Sequence, residues 1–513
     1  MNKSWVAFVL VVVSLFPPAR SAAQASDPCR LAAWVMQQQP HTTRTLEAPP
    51  PVLRDTIINV DGVSHKISIP FGFTMTVFAQ ISGCRGLACS PDGVIYATSS
   101  NGSIYALPDH LHQGKPDSTI LVASGLVDPH GIGFDNSELF VSNNGALVRL
   151  ISAPASRVAI RNDTISLLPS DPALKGHHTR NFAIDTLQER FYVQVGSKGN
   201  IDTTDLAHRA QIVEMNLDGS GYRTFARGLR NAVGMDIDPR TGALWVDNNG
   251  MDNIFGSGTE MTANNPSESI YLVCDGANYG WPWCYGFRMR NPLMMNLDTS
   301  IVETFDGPVA EVLAHEAPLG LHFYRGTTFP ALYHNAIFQC YHGSWDRNPP
   351  APPRITVMWA DSDGRNARVT DFVNGFQPDS TGTRWGRVVS IIEGGDSALY
   401  ASDDQAGVIY RIAWTGTGAD VAKSPLASFT VGDPVPNPAS DAVSIPISLA
   451  TANLVRVEVF DLIGRLIYAS QPEFLDAGAH SLPLGLTRVP NANYVARLTI
   501  GTSIVSRQIV LSR

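Results

Sequence analysis

The sequence predicts an all-β protein: a six-bladed β-propeller followed by a small immunoglobulin-like β-sandwich. Forty-three glycines and 35 prolines among 513 residues, with few long amphipathic periods, favour short strands and turns over helices. A strand–turn–strand motif recurs six times between residues 81 and 414. A separate pattern of alternating apolar residues begins near residue 429. These three observations define the fold class.

Each copy of the motif has a short apolar strand, an Asp- or Gly-containing turn and a second apolar strand with an aromatic residue. The six pairs are 85–88 with 92–96, 130–134 with 138–141, 177–184 with 190–193, 231–237 with 242–246, 318–323 with 336–339, and 387–392 with 397–401. The first copies lie about 40 to 50 residues apart, a spacing typical of propeller blades. Closing such sheets into a ring protects their edges, which favours a propeller.

The ends of the chain have different patterns. Lys3, an apolar run over residues 6–16 and a small-x-small signal at 23–25 predict a cleaved signal peptide over 1–25. An extended lead-in is expected over 26–60, the propeller over 61–414, a linker over 415–428 and the sandwich over 429–513. No segment after the signal peptide is long and apolar enough to span a membrane, so we expect a secreted or cell-surface protein.

Charge and motifs exclude several functions. The formal net charge of −9 disfavours a nucleic-acid partner, because phosphate binding needs a concentrated basic surface. The sequence contains no P-loop, zincin, serine-hydrolase elbow, haem-attachment or dinucleotide-binding motif. Any redox reaction therefore needs a cofactor other than a nicotinamide.

Six cysteines remain after residue 25, an even number that suggests up to three disulfides in an oxidising compartment. The nearest pairs are Cys84 with Cys89 and Cys274 with Cys284, which leaves Cys29 for Cys340. A zinc site is disfavoured because the chain has no C-x-x-C pair.

Several motifs resemble those of soluble sugar dehydrogenases that use pyrroloquinoline quinone (PQQ), the glucose/sorbosone dehydrogenase group. They follow one another in order through the propeller: Gly-His-His-Thr-Arg-Asn at 176–181, Val-Gly-Ser at 195–197, Gly-Leu-Arg-Asn at 228–231, Gly-Ala-Asn-Tyr-Gly-Trp-Pro-Trp at 276–283, and His-Gly-Ser-Trp at 342–345. The resemblance covers roughly residues 69–412 and implies an enzyme that oxidises an aldose or a sorbosone-like aldehyde. Reduced PQQ would then pass its electrons to an external acceptor.

The resemblance also implies roles for particular residues. His177 is the expected general base, with His178 as the alternative if the register differs by one residue. Arg230 and Asn231 are expected to contact the quinone, with Arg230 stabilising negative charge on its oxygen. Without the surrounding motifs, a histidine in such a loop is more often a structural hydrogen-bonding group.

Further contacts to PQQ carboxylates are expected from Arg384 and Arg387, and from Arg354, which stands where the family has lysine. The family also places calcium near the Arg-Asn strand. Here the expected ligands are the backbone carbonyls of Gly250 and Met251, with Glu268 nearby. Methionine replaces the proline usual at position 251.

The tail resembles the C-terminal sorting domain of type IX secretion. The matching residues are Pro-Asn-Pro-Ala at 436–439, Val-Glu-Val-Phe-Asp at 457–461, Gly-Arg at 464–465, Asp-Ala-Gly at 476–478 and the closing 509–513. This resemblance implies export through the periplasm of a Bacteroidota-type bacterium and contact with the secretion machinery. The alternative is a generic immunoglobulin-like module.

Two other functions fit a propeller. The first is a non-catalytic ligand-binding protein, which the arginine at 354 and the altered calcium segment favour. The second is a calcium-dependent lactonase, whose metal donors would be Glu268, Asp247 and Asn249.

Overall fold

A computed structural model describes residues 51–513 except 154, 295–301, 303, 366, 379–382, 417–428, 441, 450–451, 462–465, 488 and 501–502. The predicted signal peptide, most of the lead-in and most of the linker lie outside the described residues. The chain divides into two compact units, residues 1–415 and 416–513. No helix among the described residues is long and apolar enough to cross a membrane.

The described part of the larger unit begins with an antiparallel hairpin, β1 (Leu53–Val60) and β2 (Val63–Pro70), followed by β3 (Phe73–Gln80). The boundary predicted after residue 60 falls in the turn of this hairpin. Six four-stranded antiparallel sheets make up most of the unit.

Sheets 1 to 3 each consist of four consecutive strands. Sheet 1 has β4 (Cys84–Cys89), β5 (Ile95–Ser99), β6 (Ile104–Leu107) and β7 (Ile120–Ala123). Sheet 2 has β8 (Ile132–Asp135), β9 (Glu138–Asn143), β10 (Ala146–Ser152) and β11 (Ala159–Leu167). Sheet 3 has β12 (Phe182–Asp185), β13 (Arg190–Val195), β14 (Gln211–Asn216) and β15 (Arg223–Arg227).

Sheet 4 carries the longest insertions. It contains β16 (Met235–Ile237), β17 (Leu244–Asn248), β18 (Glu268–Val273) and β21 (Ala310–Val312). Helix α1 (Glu260–Asn264) lies between β17 and β18, and Thr259 caps it by accepting a hydrogen bond from the Thr262 backbone N–H. Between β18 and β21 come the short pair β19 (Cys284–Tyr285) and β20 (Met289–Arg290), and a 3-10 helix, Pro292–Met294.

Sheet 5 consists of β22 (Pro318–Phe323), β23 (Ile337–Tyr341), β24 (Arg354–Trp359) and β25 (Arg368–Val373), with a 3-10 helix at Ala331–Tyr333. Sheet 6 contains β26 (Val388–Glu393), β27 (Leu399–Asp403) and β28 (Val408–Trp414), and β3 supplies its fourth strand by pairing with β28. No local sequence pattern predicts this role for β3.

The first strands of the six sheets contact one another in a closed cycle: β4, β8, β12, β16, β22, β26 and back to β4. Because β3 and β28 come from opposite ends of the unit, their pairing joins the two ends of the cycle. The second strands β5, β17, β23 and β27 are buried at every residue, which explains why each begins with two large apolar residues; the polar residues that follow are also buried. The all-β prediction is confirmed, and the six predicted strand pairs form the first two strands of sheets 1 to 6.

The antiparallel order brings two kinds of loop to the same end of the sheets. Loops that precede a first strand lie beside loops that follow a second strand, as the pairing of Cys84 with Ser99 and of Met235 with Val246 shows. We call this the site end. It carries nearly all the polar residues that are predicted site residues.

The smaller unit has two sheets. One contains β29 (Phe429–Val431), β30 (Ala442–Leu449) and β34 (Gly478–Gly485), and the other contains β31 (Asn453–Asp461), β32 (Leu466–Ala469), β33 (Glu473–Leu475), β35 (Asn493–Ile500) and β36 (Ser503–Val510). Alternate residues of β30 are buried together with residues of β31 and β35, in agreement with the predicted alternation. The immunoglobulin-like topology stays a prediction.

The predicted pairing of nearby cysteines is wrong for the residues that the structure describes. Cys84, Cys89, Cys284 and Cys340 are free thiols, so neither nearby pair forms, whereas Cys29 lies outside the described residues. Cys84 and Cys89 are the two ends of extended strand β4, about 16 Å apart at 3.3 Å per residue, so no disulfide can join them. Burial raises the pKa of the Cys84 thiol to about 12, which makes it an inert core group.

Candidate functional site

Six sheets contribute loops to the site end, and the predicted site residues lie in these loops or at the adjoining strand ends. Those that precede or begin a first strand are His177, His178, Arg230, Asn231, Arg384 and Arg387. Those that follow a second strand or begin a third are Gly250, Met251, Glu268 and Arg354. The repeat therefore brings together residues that are distant in sequence.

His177 is held by a chain of hydrogen bonds that leaves its outer nitrogen available. Its Nδ1 lies 2.8 Å from the Ser197 hydroxyl oxygen, and that hydroxyl lies 2.7 Å from the Gly199 carbonyl oxygen. A hydroxyl has one proton, so Ser197 donates it to Gly199 and accepts a hydrogen bond from the N–H at Nδ1 of His177. Nε2 then carries the lone pair, and no described residue hydrogen-bonds to it.

The pKa values of the two adjacent histidines are shifted in opposite directions. Burial, followed by the positive charge of Arg230, holds the pKa of His177 well below its usual value of 6.5, so the imidazole is neutral at neutral pH. His178 instead pairs with Asp128 at 3.2 Å, and this carboxylate raises the pKa of His178. Only His177 combines a neutral ring with an unpaired Nε2 and can accept a proton at neutral pH.

Arg230 is buried and fixed from two sides. Its Nη2 donates to the Asp252 carboxylate at 2.6 Å and to the side-chain oxygen of Asn200 at 3.0 Å. The Arg230 carbonyl accepts from the Ser197 backbone N–H at 2.8 Å, which ties this loop to the loop supporting His177. The guanidinium is thus oriented before any ligand arrives.

Asn231 is also buried and oriented. Its side-chain oxygen accepts from Nε2 of Gln194 at 2.8 Å, and no acceptor for its amide N–H₂ group is found among the described residues. Gly196 separates it from His177: a Cβ at Gly196 would lie 2.9 Å from Asn231 Oδ1 and 2.6 Å from His177 Cβ. Only glycine at this position allows His177 and Asn231 to lie so close together.

Arg384 and Arg387 form a positively charged pair opposite few neutralising groups. Arg384 donates to Gln377 Oε1 and to the Ser344 carbonyl, and Arg387 donates to the His342 carbonyl at 2.9 Å. Neither forms an ion pair within 4.0 Å in the part of the chain that the structure describes. Burial lowers the pKa of both, and for Arg387 the nearby Arg384 adds to the effect. Such a pair favours an anionic ligand.

Arg354 is placed differently. Its guanidinium bonds Asp371 at 2.5 Å and the buried Glu316 at 2.8 Å, and it lies 5.4 Å from the centre of the Tyr341 ring. These carboxylates already neutralise Arg354. It would contact a cofactor carboxylate only by sharing or giving up one of the ion pairs.

The predicted calcium ligands lie close together. The Glu268 carboxylate accepts hydrogen bonds from the backbone N–H groups of Gly250 and Ala317, and burial raises its pKa to about 8. Within the described residues, no donor is bonded to the carbonyls of Gly250 and Met251. The carbonyls therefore remain available as oxygen ligands, while both Glu268 oxygens already accept backbone N–H groups.

The residues considered for a lactonase each bond to a neighbouring group, and the second oxygen of Asp247 accepts no hydrogen bond from a described residue. Asn249 donates its amide to the Pro318 carbonyl at 2.8 Å, and Asp247 is buried with one oxygen accepting from the Gly234 backbone N–H at 2.7 Å. Together with the bonded Glu268, these side chains support neighbouring loops.

A cavity of about 480 Å³ lies within the ring of first strands. Its lining includes His130 and Asn181 at the site end and Asp236, His322 and Arg325 at the opposite end, but neither His177 nor Arg230. Asp236 accepts two hydrogen bonds from Arg325, at 2.7 and 2.9 Å. The charged groups of the candidate site thus lie outside this cavity.

Three further site-end residues were not identified from the sequence: Asp252, His315 and Asp346. Asp252 follows Met251 directly, and Asp346 follows the His-Gly-Ser-Trp motif directly. Examining charged residues next to each motif would have selected these two aspartates. No comparable signal marks His315.

Two family descriptions match the chain. Residues 69–300 match the family described as TrAA12-like, and residues 435–512 match the secretion system C-terminal sorting domain. The resemblance to PQQ-dependent sugar dehydrogenases with a type IX sorting tail is thereby confirmed.

Similar proteins support the first match. A pyrroloquinoline quinone-dependent pyranose dehydrogenase of Coprinopsis cinerea is 28% identical over 221 residues, 36% of this chain and 30% of that enzyme. The chain thus spans about a third of the length of this curated relative. An uncharacterized protein of Borreliella burgdorferi is 28% identical over 368 residues, 69% of this chain and 93% of that protein.

Among solved structures, the holo form of the PQQ domain of Coprinopsis cinerea pyranose dehydrogenase is similar, with a TM-score of 0.58 and 22% identity. The match covers 68% of this chain and 97% of that domain. At this identity the likeness shows the fold.

Proposed function

We propose that the chain is an exported PQQ-dependent oxidoreductase that oxidises a CH–OH group of a sugar, and that its six sheets are the blades of a six-bladed propeller. One observation carries the proposal: His177 is neutral, has a free Nε2 and lies beside the Arg230–Asn231 pair. The family match over residues 69–300, a range that includes these residues, supports the proposal.

The residues present fit the proposed cofactor. PQQ is planar and carries three carboxylates, so its site needs fixed cations and a flat apolar face. Arg384 and Arg387 offer guanidinium groups without a bound carboxylate among the described residues, and Arg230 offers a further guanidinium that is already bonded to Asp252. Trp345, whose residue surface is 71% exposed, lies in the same group of loops and offers an aromatic face. Arg354 is the weakest of the proposed contacts because Glu316 and Asp371 already pair with it.

The proposed reaction divides the substrate hydrogens between two acceptors. His177 Nε2 removes the hydroxyl proton as the carbon–oxygen double bond forms, and the Ser197 hydroxyl keeps the resulting imidazolium oriented through Nδ1. When bound, PQQ supplies the quinone that accepts the hydride leaving carbon. Arg230, held by Asp252 and Asn200, stabilises the negative charge that develops at the acceptor oxygen.

Calcium is proposed at the carbonyls of Gly250 and Met251, with Glu268 supporting the loop through the Gly250 N–H. Oxygen ligands of this kind suit calcium, which binds hard oxygen donors. The ion would lie next to Arg230, because Asp252, its carboxylate partner, directly follows Met251.

The partners follow from the two units. The C-terminal match implies recognition by type IX secretion machinery and delivery outside the cell, and an external electron acceptor would reoxidise the cofactor. Aldoses or sorbosone-like aldehydes are the proposed substrates.

The test is dye-linked oxidation of a panel of aldoses by the mature chain, with and without added PQQ and calcium. We expect activity only with PQQ, and its loss in His177→Ala with PQQ binding retained. His178→Ala is the matched control, because His178 already pairs with Asp128 and should leave most activity. Equal activity in wild type and His177→Ala would remove His177 from the mechanism, and failure to bind PQQ would favour a ligand-binding propeller.

A further inference from the structure

We propose that Asp252, His315 and Asp346 form a binding site for a divalent transition-metal ion such as Zn²⁺ or Mn²⁺. Each residue offers one ligand atom, and these three atoms lie within 4.8 Å of one another. The three come from separate segments of sheets 4 and 5: the loop after β17, the loop before β22 and the loop after β23. This site is distinct from the proposed calcium ligands, the carbonyls of Gly250 and Met251.

The orientation of His315 is the first observation. Its Nε2 lies 2.7 Å from the Thr262 carbonyl and 3.2 Å from the Asn265 carbonyl, at the end of α1. Carbonyl oxygens only accept hydrogen bonds, so Nε2 carries the N–H. In the neutral ring Nδ1 therefore bears the lone pair, and Nδ1 lies 3.4 Å from a carboxylate oxygen of Asp346.

A lone pair directed at a carboxylate oxygen is repulsive unless a proton or a metal cation lies between them, and the site can hold either. A histidine whose outer N–H is bound to a backbone carbonyl is the usual arrangement of a metal ligand, because the carbonyl fixes the tautomer. His315 is buried, with a side chain only 3% exposed, so water cannot easily screen the repulsion.

The lack of hydrogen-bond donors around Asp346 is the second observation. Its side chain is also only 3% exposed, and neither carboxylate oxygen accepts a hydrogen bond from any described residue. A buried carboxylate without a donor is costly and is normally paired or bound to a metal. Asp346 is directed at His315 and lies in the same cluster as Asp252.

Asp252 is already fixed in place. Its backbone N–H donates to Asn200 Oδ1 at 2.8 Å, and its Oδ2 accepts from Arg230 at 2.6 Å. A carboxylate can accept that bond on one oxygen and bind a metal with the other. The three ligands thus need little rearrangement to bind an ion.

The donor types select the class of ion. One imidazole nitrogen with two carboxylate oxygens suits zinc, manganese, iron or nickel, whereas calcium prefers six to eight oxygen ligands. Three protein ligands also leave positions open for water or another ligand. The two carboxylates and Arg230 give the empty site a net charge of about −1, which attracts a dication.

The experiment uses the mature full chain, stripped with a chelator and without PQQ. Equilibrium dialysis against Zn²⁺, Mn²⁺ and Ca²⁺ followed by elemental analysis should show about one bound transition metal per chain. Asp346→Asn and His315→Gln should each weaken its binding by at least about 10-fold. Circular dichroism verifies that each variant is folded, and Asp252→Asn replaces any variant that is not.

Two control variants make the test specific. Asp117→Asn changes an exposed carboxylate that lies 3.1 Å from His110, and Glu268→Gln changes the carboxyl group beside Gly250; both should keep transition-metal affinity. The proposal is overturned by absence of stoichiometric binding, by binding that survives Asp346→Asn and His315→Gln, or by binding of calcium alone. Because PQQ and substrate are absent, the result is independent of whether the chain is a dehydrogenase.

Discussion

Replacing Ser197 with alanine tests the support of the proposed base. The change removes the acceptor at 2.8 Å from His177 Nδ1 and leaves this buried N–H without a partner. An unsatisfied buried donor costs about 1–3 kcal/mol, which corresponds to about 5- to 150-fold in the population of the correctly oriented tautomer. We expect kcat/KM to fall by this factor, with PQQ affinity nearly unchanged because Ser197 contributes no charge.

The assay is steady-state dye reduction by the PQQ-loaded Ser197→Ala variant, with kcat/KM measured across pH. The pH below which kcat/KM falls should also decrease. The imidazolium form of His177 needs the Ser197 acceptor more than the neutral ring does, so removing the acceptor lowers the pKa of His177 further. Ser142→Ala is the matched control: Ser142 is equally buried, its hydroxyl donates to the Arg180 carbonyl at 2.8 Å, and it does not touch His177. Equal losses in both variants, or a loss below about twofold in Ser197→Ala, would refute the reasoning.

Three further outcomes are expected. Burial and Arg230 hold the pKa of His177 well below 6.5, so wild-type kcat/KM should be maintained as pH falls through 6.5 and be lost only at lower pH. A pH profile in which kcat/KM already falls at or above pH 6.5 would contradict this. Gly196→Ala should reduce turnover while leaving the fold intact, because its Cβ would lie 2.6 Å from His177 Cβ and displace the histidine. Kinetics equal to those of the wild type would show that the loop accommodates the Cβ without moving His177. Arg354→Met should lower the free energy of unfolding, measured in urea, by about 3–5 kcal/mol, because it leaves the 0% exposed Glu316 without its cation. Arg365→Met, at an exposed ion pair, is the control and should lower it by less than about 1 kcal/mol. An equally small loss in Arg354→Met would contradict the prediction.

The sequence predicted strands better than it predicted their partners. Six strand pairs were identified because buried second strands such as Leu244–Asn248 begin with short apolar runs and follow turn residues. The pairing of β3 with β28 leaves no local signal, since it depends on contact between residues about 330 positions apart, such as Gln80 and Val408. Cysteine spacing failed for a related reason: Cys84 and Cys89 are near in sequence but far apart along an extended strand.

In the candidate site, too, the sequence predicted which residues take part better than it predicted their partners. His177, Arg230 and Asn231 were selected because each belongs to a motif, and the structure places them next to one another. The motif around Arg354 was informative about position but not about pairing, because Glu316 and Asp371 are distant in sequence. Which cations are free and which are neutralised depends on such long-range contacts.

Arg230 connects the proposed catalytic site with the proposed metal site. Its guanidinium bonds Asp252 at 2.6 Å, and its charge also lowers the pKa of His177. An ion bound to Asp252 would draw on the same carboxylate charge and repel the guanidinium. Arg230 would then be less neutralised and more available to His177 and to an anionic ligand. The two sites are therefore coupled through a single side chain, and the sign of the coupling favours a cofactor that carries negative charge.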